Sequence, residues 1–367
     1  MLAFIILLFY ERPMRRSILK FSIGFSLLVS LPLCAVAKIY KKGNPKNLAT
    51  ATHPVLCLAG GESDDLWVEG WKVLLKASGG GDVVIVRADA GLGTYESWIL
   101  NDEGHHNLPK VNSVTTLSLT SPRDAFRPEA EDAIHQAELI FFDGGDQSLY
   151  LKYIQGSPVE KALEHALHNR KIPMGGTSAG MAILGGIDFT AKYSPSPEIA
   201  LVTSDLAMSH PTAQFLDLDR RTLSPPYLEQ VITDTHFSER ERQGRLISFM
   251  ARAVYNRYAD VNGLNIKGIG ADGGAAYCYN TTTGQGKVFG IGRVHFLIGN
   301  TAIEKVLPGH SLDWFGQRQA IKVYSIHGSQ TASASFNVST WTGIGGIEKF
   351  WFVDGSNPIK PVFGESE

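Results

Sequence analysis

An α/β fold, with a mostly parallel sheet covered by helices on both faces and antiparallel strands at its edge, is what this sequence predicts, on three observations. Short apolar runs alternate with helix-length amphipathic segments from Val55 to about Ile187, which is the pattern of a parallel sheet sandwiched between helices. Three run ends are rich in glycine or acid, namely Gly60-Gly-Glu-Ser-Asp-Asp65, Asp143-Gly-Gly-Asp-Gln147 and Gly175-Gly-Thr-Ser178. In such sheets the carboxyl ends of the strands gather into one cleft and hold the site. From Ala275 onward the pattern changes to short β runs with Gly and Thr turns, which predicts added antiparallel strands.

The first 37 residues are set apart from the fold. Arg15 and Arg16 precede an apolar run from Ile18 to Leu33, and Ala35-Val-Ala37 has the small-x-small form of a signal-peptidase site before Lys38. Residues 1–37 therefore read as an export signal, with Met14 as a conventional start. The modest length of the run and the Ala-Val-Ala site count against an uncleaved anchor. Leu31-Pro-Leu-Cys34 lacks the small residue that a lipidation signal wants before its cysteine. Four cations and one acid lie in this segment, so the net charge of −2 becomes −5 without it. A mildly acidic chain has no basic surplus for nucleic acid or an anionic membrane, and no stable membrane insertion is expected after cleavage.

Residues 38–53 read as a linker, 54–325 as one domain and 326–367 as a C-terminal extension. The strand runs are Val55 to Ala59, Val83 to Ala88, Val114 to Leu119, Leu139 to Asp143 and Ile172 to Gly175, with helices over Leu66 to Ala77, Arg127 to Ala137 and Val159 to Asn169. Cys57 and Cys278 each lie inside an apolar strand and read as buried free thiols. Two cysteines in an exported chain permit a disulfide without implying one. No His or Cys stands at metal-ligand spacing, so neither a metal nor another cofactor is expected.

Gly176-Thr-Ser-Ala-Gly180 follows the last of these strands and precedes a small-residue, helix-compatible stretch. Glycines on either side of Ser178 permit a turn sharp enough to lift its hydroxyl clear of the surface, which makes Ser178 the candidate nucleophile. The Gly144-Gly145 pair frees an amide to approach a ligand, so Gly145 and Ala179 are candidate oxyanion donors. The nearby Asp143, Asp146, Glu62, Asp64 and Asp65 read either as solvated loop acids or as partners of a cationic substrate group. Ile187 to Leu228, rich in Pro, Ser and Asp, breaks the rhythm and reads as an insertion or lid beside Ser178.

Tyr227 to Thr233 predicts another strand, which places His236 on a rim turn as the candidate general base, with Ser238 capping the helix that follows. Arg240, Arg242 and Arg245 crowd the start of that helix, where cations oppose the helix dipole and need an anion. Glu239 and Glu241 alongside would serve, as would a carboxylate of the substrate. Gly268-Ile-Gly-Ala-Asp-Gly-Gly-Ala275 ends a further strand, and Asp272 is the candidate acid that orients the histidine.

Ser178, His236 and Asp272 stand in the order nucleophile, base, acid, unlike the Ser, acid, His order of α/β-hydrolases. At these residues the chain resembles the S51 serine peptidases, cyanophycinase and dipeptidase E among them. The matching stretches are Phe141-Phe-Asp-Gly-Gly-Asp-Gln147, Gly175-Gly-Thr-Ser-Ala-Gly-Met181, Asp234-Thr-His-Phe237 with the three arginines, and Gly268-Ile-Gly-Ala-Asp272. The likeness covers roughly Pro54 to Ser325. It implies a flavodoxin-like fold related to class I glutamine amidotransferases, and an exopeptidase that cuts β-linked aspartyl-arginine dipeptides from cyanophycin, a polyaspartate with arginine on its side chains.

It also implies that Ser178 is the nucleophile, His236 the base and the amides of Gly145 and Ala179 the oxyanion donors. Gln147, Asp234, Thr235, Arg240, Arg242 and Arg245 would contact the substrate. Two positions depart from the family. Its last motif reads Gly-Ile-Asp-Glu, with the glutamate as third catalytic member, and that place is Gly273 here; its Asp-Gln-His is Asp234-Thr-His236. A one-residue shift turns a strand side chain to the other face, so Asp272 would need a bent turn to substitute. The expectation is an exported serine exopeptidase acting on a peptide or polyaspartate-arginine substrate. A catalytically impaired binding protein, or a hydrolase of other acidic peptides or amides, are the alternatives, and the assembly, a homodimer included, is left open.

Overall fold

The computed structural model of the chain describes residues 38–196, 201–220, 222–259, 262–331, 333–356 and 361–363. The predicted export signal, 1–37, lies outside them. Five strands form the parallel core of a ten-stranded sheet: β2 (Val55–Ala59), β3 (Asp82–Arg87), β4 (Ser113–Ser118), β5 (Leu139–Phe142) and β6 (Met174–Thr177), in the spatial order β4-β3-β5-β6-β2. The order reverses between β3 and β5, the doubly wound arrangement in which successive crossovers cover opposite faces.

Side chains along these strands divide by parity, because successive residues point to opposite faces. Cys57, Val83, Ile85 and Phe141 pack with Trp71 and Leu74 of α1 (Val68–Ala77) and with Ile99 of α2 (Thr94–Leu100). Leu56, Val84, Val86 and Phe142 pack instead with α3 (Pro128–His135), α4 (Gln147–Ile154) and α5 (Pro158–His165) through Ile134, Leu151 and Leu163. Burial on both faces explains why the strands read as continuous apolar runs. Among the helices, α2 and α4 were not legible, being short and without a clear apolar stripe.

Several expectations about the edges need correction. Lys38–Gly43, placed in a linker, is strand β1, paired antiparallel with β4; its lysines suit an exposed edge. The β-rich half does not lie at one edge. β11 (Ala275–Asn280), β12 (Gln285–Gly290), β15 (Ser335–Asn337) and β16 (Thr342–Ile344) extend the first sheet beyond β2. β9 (Val231–Asp234), β10 (Lys267–Ala271), β13 (Arg293–Gly299), β14 (Ile321–His327), β17 (Ile347–Val353) and β18 (Pro361–Phe363) form a second, six-stranded sheet. Residues 326–367 are thus no appendage, since they contribute strands to both sheets. Of the rest of the chain, α6 (Ala179–Ala182) follows β6, and the insertion holds the short pair β7 (Asp188–Phe189) and β8 (Leu218–Asp219) with α7 (Ser204–Ser209). α8 (Gln243–Tyr255) connects β9 to β10 and packs Leu246, Phe249 and Met250 against the second sheet.

Cys57 and Cys278 are not free thiols. They are register partners on the antiparallel pair β2–β11 and are joined by a disulfide, a pairing hidden in the sequence by a separation of 221 residues. Closing so long a loop restricts the unfolded chain, so the Cys57→Ala/Cys278→Ala variant should lose on the order of 2–5 kcal/mol. Denaturant unfolding of the two proteins side by side reads this directly; coincident midpoints would mean that the bridge contributes nothing.

Candidate active site

Ser178 occupies a backbone conformation, φ 51 and ψ −114, between β6 and α6 that non-glycine residues rarely adopt and that costs of order 1–3 kcal/mol. Close packing enforces the turn. A Cβ on Gly176 would lie 2.5 Å from the backbone of Gly180, and one on Gly180 only 2.1 Å from the carbonyl oxygen of Phe142. Any larger residue would push α6 off the sheet. The Ser178 amide donates to the carbonyl of Ala59 at the end of β2, 3.1 Å away.

His236 comes from the other sheet, two residues after β9. Its amide donates to the carbonyl of Gly60 at 2.8 Å, and the next amide, of the fully buried Phe237, donates to Ala271 at 3.1 Å. The end of β2 therefore holds both segments, Ala59 gripping Ser178 and Gly60 gripping His236. The result is a distance of 2.9 Å between Ser178 Oγ and His236 Nε2. On the far side of the ring, Nδ1 stands 3.3 Å from Oε1 of Glu62. A carboxylate there accepts the Nδ1 proton, which leaves the Nε2 lone pair facing the hydroxyl. Burial lowers the imidazole pKa below its ordinary value, the guanidinium groups of Arg240 and Arg242 lower it further, and Glu62 opposes both.

Asp272, predicted to orient the histidine, does not reach it. Its Oδ1 accepts from the amide of Ser238 at 3.0 Å and its Oδ2 from the amide of Arg293 at 2.9 Å, with the His295 imidazole 3.8 Å away. Although burial works against it, these partners hold the Asp272 carboxyl below the usual carboxylate range. Its side chain points into the second sheet because β10 ends there and the chain crosses to β11 through Gly273 and Gly274. Asp272 instead braces the turn that carries His236. Ser238 does not cap the helix either: α8 begins at Gln243, and Ser204 Oγ accepts from the amide of Arg245 at 3.0 Å.

Beside Ser178 lies a cleft of about 340 Å³. Gly145, Gln147, Ala179, Thr235, Arg240, Arg242 and Arg245 all border it, so most of the predicted contact residues are brought together. Among the described residues, the amides of Gly145 and Ala179 have no acceptor, and a Cβ on Gly144 would lie 3.6 Å from that of Ser178. Two idle donors thus flank the hydroxyl.

Asp234 is the exception. It is 3% exposed and turned away from the cleft, its carboxylate clamped in bidentate fashion by Arg245 and lying 3.7 Å from Arg242 Nη1. Arg242 also donates to the carbonyl of Thr235 at 2.8 Å and to its Oγ1 at 3.2 Å. Asp234 is therefore the anion the dipole argument called for, and it fixes Arg242 and Arg245. Arg240 is exposed and makes no ion pair among the described residues.

The other loop acids are mostly engaged. The Tyr95 hydroxyl lies 2.6 Å from Asp64 and 3.1 Å from Asp143, Arg87 pairs with Asp143, Asp65 meets His106 at 2.8 Å, and Asp146 caps α4. The insertion contributes Phe189, Tyr193 and Leu201 as apolar wall to the cleft. Sequence reasoning missed these, and it read Glu62 only as one acid in a loop. Its place at a strand end, directly after two glycines, is the signal that could have singled Glu62 out.

Residues 103–263 match the family model of Peptidase family S51. Cyanophycinases of Synechococcus elongatus and Thermosynechococcus vestitus are each 28% identical over 205 residues, 53% of this chain and 56% of theirs. A cyanophycinase of Geminocystis herdmanii is 26% identical over 204 residues, 54% of this chain and 66% of its own. The chain thus spans little more than half the length of the first curated relatives it matches. The crystal structure of a peptidase from an acI-B1 Actinobacterium is similar over 78% of this chain and 98% of that one, with a TM-score of 0.46 and 16% identity.

Proposed function

Residues 103–263 belong to peptidase family S51, and from that premise we propose that the protein is an exported serine exopeptidase acting on cyanophycin or related β-aspartyl-arginine peptides. The observation that carries this reading is the 2.9 Å contact between Ser178 Oγ and His236 Nε2, on an imidazole whose pKa burial lowers. Ser178 Oγ attacks the scissile carbonyl and its proton passes to Nε2. The oxyanion is taken by the amides of Gly145 and Ala179, and the proton is then handed to the leaving amine. Water, deprotonated by the same nitrogen, releases the acyl group.

Arg240 and Arg242 offer the cleft positive charge suited to the free carboxylates of aspartyl residues, and Asp146 on its wall suits a guanidinium. The reading as an impaired binding protein rested on Gly273; it loses its motive, because a carboxylate from another loop stands at the imidazole. The disulfide suits an oxidising compartment, which favours export. Mass analysis of the protein secreted by its host, beginning at Lys38, would bear that out.

The direct test is incubation of the mature protein with insoluble cyanophycin. Soluble aspartyl-arginine dipeptide is expected, and intact polymer after prolonged incubation would defeat the substrate assignment. The pH profile follows from the same site. His236 must be neutral to accept the proton, and its pKa lies below the ordinary imidazole value of 6.5. The acidic limb of kcat/KM should accordingly fall below that value and activity persist into mildly acid solution. A limb above it would contradict the assigned base.

A further inference from the structure

Resting on that Ser178–His236 reading, we infer that Glu62 is the positioning carboxylate of His236, and that residue 273 is glycine because Glu62 occupies the space its side chain would need. The first observation is the 3.3 Å approach of Oε1 to Nδ1, on the ring nitrogen that Ser178 does not use. The second is the way the 60–62 segment is fixed. Gly60 donates to the carbonyl of Ala275 at 2.9 Å and accepts from His236, while the carbonyl of Gly61 accepts from Gly274 at 3.0 Å. A Cβ on Gly61 would fall 2.2 Å from Cε1 of the imidazole, so this loop runs against the ring itself.

The third observation concerns Gly273. Its backbone lies outside the left-handed region, so conformation does not require glycine there. A Cβ at 273, however, would lie 2.3 Å from Cγ of Glu62. The two positions compete for one space beside the histidine, and in this chain the acid enters it from the end of β2. Backbone strain points the same way: Glu62, Ser178 and His236 all have positive φ, at 60, 51 and 44, and such strain collects where geometry serves function.

Because the Glu62 side chain is 53% exposed, its effect should fall short of the roughly 10⁴-fold loss seen when a buried orienting acid is removed. A loss of about 10²–10³-fold is expected. The test needs no knowledge of the natural substrate. Diisopropyl fluorophosphate phosphorylates a serine: Oγ forms a bond to phosphorus, fluoride leaves and the hydroxyl proton passes to the base. The rate of that labelling at Ser178, followed by intact mass against pH, reports the activated hydroxyl.

Glu62→Gln keeps the shape and removes the charge. It should label about 10²–10³-fold more slowly at neutral pH, with its acidic limb moved to lower pH, since only the cations Arg240 and Arg242 would then face the buried ring. In the exchange variant Glu62→Gly/Gly273→Glu the carboxylate returns from the opposite loop, and at least about a tenth of the parental rate should be recovered. Glu62→Gln with the rate or the limb of the parent would overturn the inference while leaving Ser178 and His236 in place. An exchange variant no faster than Glu62→Gln would overturn the shared-space part. Absence of labelling at Ser178 in the parent would remove the underlying reading instead.

Discussion

Replacing Ser178 by alanine is expected to lower kcat by about 10⁵–10⁶-fold, the scale set by loss of a serine nucleophile in other enzymes, with KM nearly unchanged. Only the hydroxyl is removed. The strained turn is enforced by Gly176 and Gly180, and the Ser178 amide keeps its acceptor at Ala59, so thermal stability should stay within about 0.5 kcal/mol of the parent. Arg240, Arg242 and the idle amides remain to bind substrate, which is why KM holds. Dipeptide release measured under single-turnover and steady-state conditions decides the matter. A Ser178→Ala protein retaining more than about a hundredth of parental kcat would show that another group makes the bond to the carbonyl.

The largest stability effect should come from Asp234→Ala. The Asp234 carboxylate is the anion of two buried guanidinium groups, and Arg245 is itself only 4% exposed. Truncating one partner of such a pair leaves charge without compensation in a site that water scarcely reaches, at a cost of about 3–5 kcal/mol. In a chain of this size that is a fall in Tm on the order of 10 °C. Arg240→Ala, which removes an exposed cation, should change Tm by less than about 2 °C.

Combining Asp234→Ala with Arg245→Met should recover part of the loss, because removing both charges costs less than stranding one. A Tm for Asp234→Ala indistinguishable from the parent would mean that the pair is exposed in solution. Activity should fall as well, since Asp234 Oδ1 also accepts from the amide of Thr235 at 2.9 Å, one residue before the base.

What could be read without coordinates was whatever depends on neighbours along the chain. The parallel strands and the helices after them follow from apolar periodicity, a property of ten or so consecutive residues. The elbow at Ser178 depends on five, and the crowding of arginines around the start of α8 on six. Those features fixed the fold class, the position of the hydroxyl and the choice of His236 over the other histidines.

What the tertiary structure decided was every question of which side chain meets which across space. Asp272 lies next to the expected acid position in sequence, yet its carboxylate turns toward the amides of Ser238 and Arg293, because one residue along an extended chain reverses the facing of a side chain. Glu62 is 174 residues from His236 and meets it only because β2 ends between the elbow and the histidine turn. Asp234 was read as facing substrate but faces Arg245, and Cys57 meets Cys278 because β11 pairs with β2 in that register. Local patterns state what each segment can become; strand register, sheet order and the crossing from β10 to β11 determine which groups share a volume of a few ångströms, and no short window of sequence contains that.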